Sequence, residues 1–251
     1  MRRTGLAGVA LAAAFLTMVT GASASTLCLQ LKPNGAVKGP TAVGGNTCKA
    51  GYEKVELPPA AQLETLNKIL PHTKYEEKGV GGKPTVQFSG VNVQVVNGEG
   101  KTATTNGEGN LVIGYDENPE GRLPQTGSHD LLLGTDQSFT SYAGIVAGTF
   151  NTVSGPFASV TAGSKNLASG EAASVSGGFG NTAVASFSSV GGGGANRASG
   201  VEASVSGGSF NQASGEEAWV GGGFKNTASG AHSSVFGGKE LTASGEYEAI
   251  P

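Results

Sequence analysis

The sequence predicts an all-β fold, a parallel β-solenoid with about fifteen residues in each coil, preceded by a small irregular region and one short helix. Three observations lead to this prediction. The chain has 251 residues, of which 43 are glycine and only 14% are charged, a composition unlike that of ordinary globular domains. A short phrase of valine and glycine recurs along the C-terminal half, and an asparagine recurs in step with it. Several columns that repeat at one interval indicate stacked structural units.

The N-terminal segment has the pattern of a cleaved secretory signal. Residues 1–24 begin with Arg2 and Arg3 after the initiator methionine, continue with an apolar run over 6–19, and end in small residues. This run is short for a transmembrane helix and no second run follows, so a signal peptide is favoured over a membrane anchor. We therefore expect a secreted protein, extracellular or at the cell surface, with no membrane span in the mature chain.

Residues 25–84 are predicted to form a lead-in to the solenoid. Their first part, over 25–58, is rich in glycine, proline and threonine, which predicts irregular structure. Cys28 and Cys48 are the only cysteines, and in an exported protein such a pair favours a disulfide over a metal site, which needs more ligands. A disulfide between them would stabilise the segment by about 3 kcal/mol.

Two kinds of regular element are predicted before the solenoid. Residues 59–70 follow a proline, place Leu63, Leu66 and Ile69 on one helical face, and stop at Pro71, a pattern typical of a short amphipathic helix. Within residues 85–110, valine and phenylalanine alternate with polar residues between 86 and 95. This period of two predicts strands that lead into the solenoid.

The solenoid is predicted over 111–245, with 246–251 as a tail. Its phrases begin at residues 111, 131, 145, 160, 175, 190, 205, 220 and 235, so the step is fifteen after residue 145. Fifteen residues are too few for a helix pair but enough for two short strands and two turns. Six residues after each phrase from 145 to 220 the chain has an asparagine, namely Asn151, Asn166, Asn181, Asn196, Asn211 and Asn226.

Each coil is expected to direct its valine and nearby small residues inward and its serines outward, because side chains alternate along a strand. Glycine permits positive φ and close backbone approach at the corners. We expect the asparagine amides to bond to the asparagines above and below, forming a structural ladder. One valine and one or two alanines make a thin core, so we also expect this apolar column to be shared between neighbouring chains.

The coil sequences "SVTAGSKNLASG" at 159–170 and "ASVSGGFGNTA" at 173–183 resemble the head repeats of trimeric autotransporter adhesins, the YadA-like or haemagglutinin-type family. The resemblance covers residues 110–245. It implies a left-handed β-roll, assembly as a homotrimer, and an adhesin-like role with a host or matrix partner. Because no heptad stalk or membrane-barrel pattern follows residue 245, we expect a head without its own anchor.

No pattern of residues indicates catalysis, a cofactor or a metal site, so we predict a protein that is not an enzyme. Residues 142–251 contain only seven glutamates and four lysines or arginines, and the three histidines are far apart in sequence. We expect His72, His129 and His232 to be solvated surface residues. No aspartate follows Asp136, which excludes the calcium sites of repeat-in-toxin rolls from the regular coils. The acidic loop over 115–121 leaves an ion site open.

The sequence "LPQTG" at 123–127 matches a sortase anchoring sequence. A working anchor needs a following apolar stretch and a basic tail at the C-terminus, whereas here the regular coils follow. The sequence therefore favours a loop between coils.

Aromatic residues are the candidate ligand contacts. Phe150, Phe179, Phe210, Trp219 and Phe224 lie at or beside predicted turns, in columns otherwise filled by small or polar residues. A row of exposed rings is typical of a surface that binds a carbohydrate or a protein. The alternative is that the rings close the corners or lie between chains. Removing the signal takes away two positive charges and lowers the net charge from -3 to -5, which argues against nucleic acid as a partner.

The sequence thus predicts a structural or adhesin-like protein of the cell surface or the extracellular space. The alternative prediction is a carbohydrate- or ligand-binding β-solenoid of the extracellular matrix.

Overall fold

The computed structural model describes residues 26–31, 37–42, 53–56, 60–118, 121 and 123–251. The chain divides into two compact units, Met1–Val93 and Gln94–Pro251. The predicted signal peptide over 1–24 and Cys48 lie outside the described residues, so the signal and the disulfide with Cys28 stay predictions. Among the described residues, no helix is both long and apolar enough to cross a membrane.

The first unit contains a three-stranded antiparallel sheet. Its strands are β1 (Thr26–Leu31), β2 (Val37–Ala42) and β3 (Glu53–Glu56), with β1 in the centre. The prediction of irregular structure over 25–58 is therefore wrong for these three segments. Leucine alternates with other residues in β1, and this period of two is the strand signal that the surrounding glycine and proline obscured.

The short helix is confirmed as α1 (Ala60–Ile69), followed by a 3-10 turn over Leu70–His72. An antiparallel hairpin of β4 (Thr73–Glu76) and β5 (Thr85–Phe88) comes next. The valines at 91, 93 and 95 do not form the predicted strand. Gly90, with φ +69°, turns the chain after β5, and no described strand pairs with these residues.

The second unit is a parallel β-solenoid of about eight turns, as predicted, built from one ten-stranded and one eight-stranded sheet. The ten-stranded sheet contains β6 (Leu111–Ile113), β7 (Leu131–Thr135), β9 (Ile145–Thr149), β11 (Ser159–Val160), β13 (Ser174–Val175), β15 (Ser189–Val190), β17 (Ser204–Val205), β19 (Trp219–Val220), β21 (Ser234–Val235) and β23 (Ala249–Ile250). The eight-stranded sheet contains β8 (Ser138–Phe139), β10 (Thr152–Val153), β12 (Leu167–Ala168), β14 (Thr182–Ala183), β16 (Arg197–Ala198), β18 (Gln212–Ala213), β20 (Thr227–Ala228) and β22 (Thr242–Ala243).

The step between coils changes where the regular repeat begins. Strands β7 and β9 pair over five residues at a step of fourteen, with Leu131 opposite Ile145. Val146 still pairs with Val160, fourteen residues on, whereas Thr149 bridges to Ser164, fifteen residues on. One extra residue is therefore accommodated after Val160. From β11 onward each strand of the solenoid is two residues long, and the predicted step of fifteen holds.

The core of the solenoid is buried within a single chain. The valines of the ten-stranded sheet from β11 to β21 are at most 1% exposed, and the alanines of the facing sheet, such as Ala168 and Ala183, are fully buried. The prediction that the valine column is shared between chains is therefore wrong. Because the facing column is alanine, the two sheets lie close together and each valine is covered by its own chain. The expected alternation holds, since Ser159 is only half-buried beside Val160.

The predicted tail over 246–251 is also wrong, because it contains the last strand of the solenoid. Ala249 pairs with Ser234, and Ile250 pairs with Val235. Tyr247 adopts φ +57°, and its N–H donates to the carbonyl oxygen of Ala231 at 3.0 Å. This corner geometry repeats that of the earlier coils even though the valine–glycine phrase is absent.

Candidate functional site

Each coil turns at two corners, and the stacked corners form the two long edges of the solenoid. One edge, here called the lysine edge, precedes the asparagine column and carries Phe150, Lys165, Phe179, Phe210, Phe224, Lys225 and Lys239. The opposite edge, here called the glutamate edge, carries Phe157, Glu171, Phe187, Glu202, Glu216, Glu217, His232, Glu246 and Tyr247. Together the edges hold most of the charged and aromatic side chains of the regular coils.

The backbone at both edges is left-handed at one residue in each coil. Phe150 and Phe210 on the lysine edge have φ values of +53° and +59°, and Phe157 and Phe187 on the glutamate edge have +58° and +59°. The N–H of Phe210 donates to the carbonyl oxygen of Gly194 in the preceding coil at 2.9 Å. Left-handed geometry costs a non-glycine residue about 1 kcal/mol or more, so stability alone does not favour phenylalanine there.

The phenylalanines of the lysine edge lie in solvent beside lysine. Phe150, Phe179 and Phe210 are 50%, 58% and 57% exposed. Phe224 packs edge-to-face on Phe210, with ring centroids 5.9 Å apart. The Nζ atom of Lys165 lies 5.5 Å from the ring centroid of Phe179, within the range of a cation–π contact. Four of the five predicted aromatics therefore lie on one rigid edge.

Trp219, the fifth predicted aromatic, lies elsewhere. It occupies the serine column on the outer face of the ten-stranded sheet, in register with Ser204 and Ser234. Its indole N–H donates to Oγ of Ser206 at 3.0 Å, and its ring packs edge-to-face on Phe236 at 5.3 Å. The five aromatics predicted as ligand contacts do not form a single row.

Sequence reasoning missed the aromatics of the glutamate edge. Phe157 and Phe187 are 52% and 57% exposed, and Tyr247 is 69% exposed. Their column also contains alanine, glutamate and histidine, which concealed it as an aromatic position. The fifteen-residue spacing between residues 157, 172, 187, 202, 217, 232 and 247 is the signal that would have found it.

The two edges carry opposite charges. Glu171, Glu202, Glu216, Glu217 and Glu246 are all exposed on the glutamate edge. The lysine edge has three exposed lysines and one glutamate, at position 240. Among the described residues, the only close contact between a basic and an acidic side chain on either edge joins Nδ1 of His232 to Oε2 of Glu217 at 3.3 Å. The His232 ring stacks on Tyr247, with the ring centroids 4.7 Å apart. Both edges therefore present charges free to meet a partner.

The six asparagines of the predicted ladder are buried inside the coils, at most 1% exposed. The side chain of Asn181 donates to the carbonyl oxygens of Gly177 and Gly193 at 2.8 and 3.0 Å. Its Oδ1 accepts the backbone N–H of Asn196 at 2.9 Å. We expected amide-to-amide bonds, but the ladder runs mainly from amide oxygen to the next backbone N–H.

The ladder has ends that sequence reasoning missed. At its start, Gln137 takes the asparagine position, and its Oε1 accepts the N–H of Asn151 at 3.1 Å. At its other end, Oδ1 of Asn226 accepts the N–H of Leu241 at 3.0 Å. The asparagines are therefore structural and do not reach a ligand.

The first coils of the solenoid, over residues 111–144, are here called the entry coils. Their ionisable side chains are fixed by burial and by hydrogen bonds to the backbone. Asp130 is 3% exposed, its Oδ1 accepts the N–H of Gly144 at 2.7 Å, and burial raises its pKa to about 6. His129 is half-buried, with Nε2 accepting the N–H of Asn97 at 3.2 Å and Nδ1 lying 3.2 Å from the Thr102 carbonyl oxygen. His72, His129 and His232 are all half-buried, so none is fully solvated as the sequence predicts, and the His129 ring is held between Asn97 and Thr102.

The acidic loop over 115–121 is described only in part, since residues 119 and 120 lie outside the described residues. Burial raises the pKa of Asp116, whose Oδ2 accepts a hydrogen bond from Gln125 at 3.1 Å. No group of three or more histidine, cysteine, aspartate or glutamate residues is placed to hold a metal ion in the part of the chain that the structure describes.

The "LPQTG" segment pairs with the next coil. Gln125 bridges to Phe139, and the N–H groups of Thr126 and Gly127 both donate to the Phe139 carbonyl oxygen, at 3.0 and 3.1 Å. The segment is therefore held in the solenoid at the start of the regular coils.

The first unit has a cavity of about 300 Å³. It lies between the end of α1 and the residues that follow β5, with Ile69, His72, Phe88 and Val93 among its lining. Nδ1 of His72 lies 3.0 Å from the Ser89 carbonyl oxygen. The lining of the cavity is mainly apolar.

The chain matches no known family model, and no curated protein is similar to it in sequence.

Proposed function

We propose that this protein is a secreted, adhesin-like structural protein of the cell surface or extracellular space, which binds its partners through the lysine edge of its β-solenoid and catalyses no reaction. The observation that carries this proposal is the set of exposed phenylalanines along the lysine edge, two of which, Phe150 and Phe210, are held in left-handed geometry. Export is supported by the signal-like pattern over residues 1–24.

Exposed phenylalanine at these corners is better explained by binding than by folding. The neighbouring coils place serine, lysine, alanine or glycine at equivalent positions, so the corner itself does not need a ring. Half-exposed rings contribute little to the core, whereas aromatic rings on rigid elements supply large contact areas to a partner at low entropic cost. A β-solenoid fixes such rings at regular spacing, because neighbouring coils are about 4.8 Å apart.

The ionisable residues also favour a binding protein over an enzyme. The glutamates of the regular coils are all exposed to water, and most of them lie along the glutamate edge, whereas catalytic carboxyl groups are typically enclosed in a cleft. The one aspartate with a strongly raised pKa, Asp130, is buried and bonded to the backbone of Gly144. A carboxyl group enclosed in this way positions the backbone and does not meet a substrate.

The resemblance to adhesin heads supports a homotrimer of left-handed β-rolls. Because Val160 to Val235 are covered within one chain, copies of this chain would meet through outer surfaces rather than through the core. Light scattering of the purified protein tests this part of the proposal, and a strictly monomeric mass would contradict it.

The second candidate function is binding of a carbohydrate of the extracellular matrix. It is favoured by the spacing of Phe150, Phe179 and Phe210, which lie two coils apart, or about 10 Å. Rings at this spacing along a flat edge would stack on successive sugars of an extended chain.

Binding to a glycan array and to immobilised matrix proteins tests both functions. Replacing Phe150, Phe179 and Phe210 together by serine should weaken binding at least tenfold. The matched control replaces Phe157 and Phe187 by serine, at corners of the same backbone geometry on the opposite edge. Absence of binding by the unaltered protein, or equal loss in both variants, would contradict a role for the lysine edge.

A further inference from the structure

We infer that the lysine edge of one copy of this chain binds the glutamate edge of a second copy that lies parallel to it and in register. This inference deepens the proposed function, on which it rests, because it names the surfaces through which copies meet. The partner is identified by charge and by the order of side chains along the two edges.

The first observation is the separation of charge. Five exposed glutamates lie on one edge, and three exposed lysines with one glutamate, Glu240, lie on the other. The lysines form no ion pair with any carboxylate among the described residues, and Glu217 is paired only with His232. Surfaces of opposite sign attract and orient two molecules. Each copy carries both surfaces, so each of its edges can bind the opposite edge of a neighbouring copy.

The second observation is the order of residues along the stack. In four of the seven coils, a residue at the lysine edge is complementary to a residue that follows at the glutamate edge of the same coil. Where the lysine edge has phenylalanine, the glutamate edge has phenylalanine in two coils, and where it has lysine, the glutamate edge has glutamate in two coils. The coil-by-coil pairs are Phe150 with Phe157, Lys165 with Glu171, Phe179 with Phe187, Ala195 with Glu202, Phe210 with Glu217, Lys225 with His232, and Lys239 with Glu246.

The match depends on orientation. In an antiparallel arrangement Lys165 would face His232, and Phe179 would face Glu217. Only Lys225, opposite Glu171, would keep an oppositely charged partner. The parallel arrangement in register therefore brings together more complementary pairs.

The contact between two copies would consist of several weak interactions repeated along the edges. One exposed ion pair contributes little by itself, and a ring pair adds a similarly small amount. Several such pairs act together here because the edges are fixed by backbone hydrogen bonds between coils and lose little freedom on binding. Since the two edges differ, the contact is of the head-to-tail kind. In an open row the lysine edge of the last copy stays free, and this is the surface that the proposed function assigns to other partners.

Charge exchange on the full mature chain tests this inference. One variant carries Lys165→Glu and Lys239→Glu, a second carries Glu171→Lys and Glu246→Lys, and a third combines all four. Sedimentation velocity over a range of concentrations measures the dissociation constant of self-association. The first two variants should each associate at least tenfold more weakly than the unaltered protein, whereas the third should recover its association because the charges are exchanged on both edges.

Arg197→Glu is the control, because it makes the same change of charge on the outer face of the eight-stranded sheet. It should leave self-association unchanged. Circular dichroism on each variant establishes that the sheet structure is kept. If the unaltered protein associates and the charge exchanges have no effect, or the fourfold variant does not recover, the edge contact is wrong while a multimeric head stands. If the unaltered protein is a monomer at every concentration, both the edge contact and the proposed homotrimer are contradicted.

Discussion

Neighbouring glycines of one corner have different structural requirements. Gly208 adopts φ +78°, and a Cβ there would overlap the carbonyl oxygen of Gly223 and lie 2.6 Å from Nδ2 of Asn211. Gly207 is not left-handed, and a Cβ there would meet open space. The glycine content that suggested the fold thus includes both required and replaceable positions.

Gly208→Ala should lower the free energy of unfolding by about 2 kcal/mol or more, because it combines backbone strain with a clash against the next coil. Gly207→Ala should leave it unchanged or raise it by up to about 1 kcal/mol, because alanine restricts the unfolded chain. Urea denaturation followed by circular dichroism measures both. Equal destabilisation by the two variants would show that the corner geometry is not the cause.

Asn181→Ala should be among the most damaging changes to a single side chain in the coils. It removes three hydrogen bonds that involve the side chain, to Gly177, Gly193 and Asn196, and leaves their backbone groups without these bonds inside the coil. At about 1 kcal/mol for each bond, the expected loss is about 3 kcal/mol. Gln212→Ala, at an exposed position of the next coil but one, is the control and should change stability by less than about 0.5 kcal/mol.

Asp130 should make the stability of the entry coils depend on pH. Its folded-state pKa, about 6, lies above the ordinary value of 3.8 because of burial, so the folded state binds the proton more tightly than the unfolded state. The free energy of unfolding should therefore be highest below pH 4 and fall as the pH rises to 6, by at most about 3 kcal/mol.

Thermal melts between pH 4 and pH 7 measure this dependence. Asp130→Asn removes the titrating group and should flatten the profile, whereas Asp136→Asn, a change of the same kind outside the core, should keep it. A profile that rises with pH in the unaltered protein would have the opposite sign and would contradict the role of Asp130.

At the scale of elements, periodicity predicts strands only where it is regular. The valine and asparagine columns repeat often enough to place every coil from β11 to β22. The pairing of β7 with β9 at a step of fourteen, and the role of Gln137 as the first residue of the ladder, depend on register between neighbouring coils. A single sequence contains one copy of each of these features, so no repetition identifies them.

Removal of one complete coil tests this repeat directly. Deleting residues 190–204 joins Ser189 to Val205 and removes fifteen residues, so every later valine stays inward. The shortened protein should fold and lose only the stability of one coil and its contacts, as expected of a linear array. Deleting residues 190–203 instead removes fourteen and shifts the register by one, which turns the later valines outward.

Hydrogen exchange measured across the remaining coils distinguishes the two deletions. Amides beyond the junction should stay protected after the fifteen-residue deletion and lose protection after the fourteen-residue deletion. Equal protection in both proteins would mean that the register is not set by the inward columns.

At the scale of the whole molecule, the composition gives the net charge, whereas the fold determines where the charges lie on the surface. The net charge of -3 suggests a weakly acidic protein with scattered charges. Folding at a step of fifteen separates these charges onto opposite edges, because each corner recurs in one column. The columns can be identified from the sequence alone. That the two corners of each coil lie on opposite edges follows only from the pairing of the strands. For this reason sequence reasoning found four aromatics of the lysine edge and missed the glutamate edge.

Salt should separate the ionic and aromatic parts of the proposed contact between copies. Raising the ionic strength from 0.1 M to 1 M shortens the screening length from about 10 Å to about 3 Å, which weakens exposed ion pairs but not ring contacts. Self-association measured by sedimentation should therefore weaken without being lost. In a variant with Phe179→Ser and Phe187→Ser, which keeps the charges, association should become fully sensitive to salt. Association that strengthens with salt would instead indicate contact through apolar surface, such as the exposed face of α1 at Leu66 and Ile69.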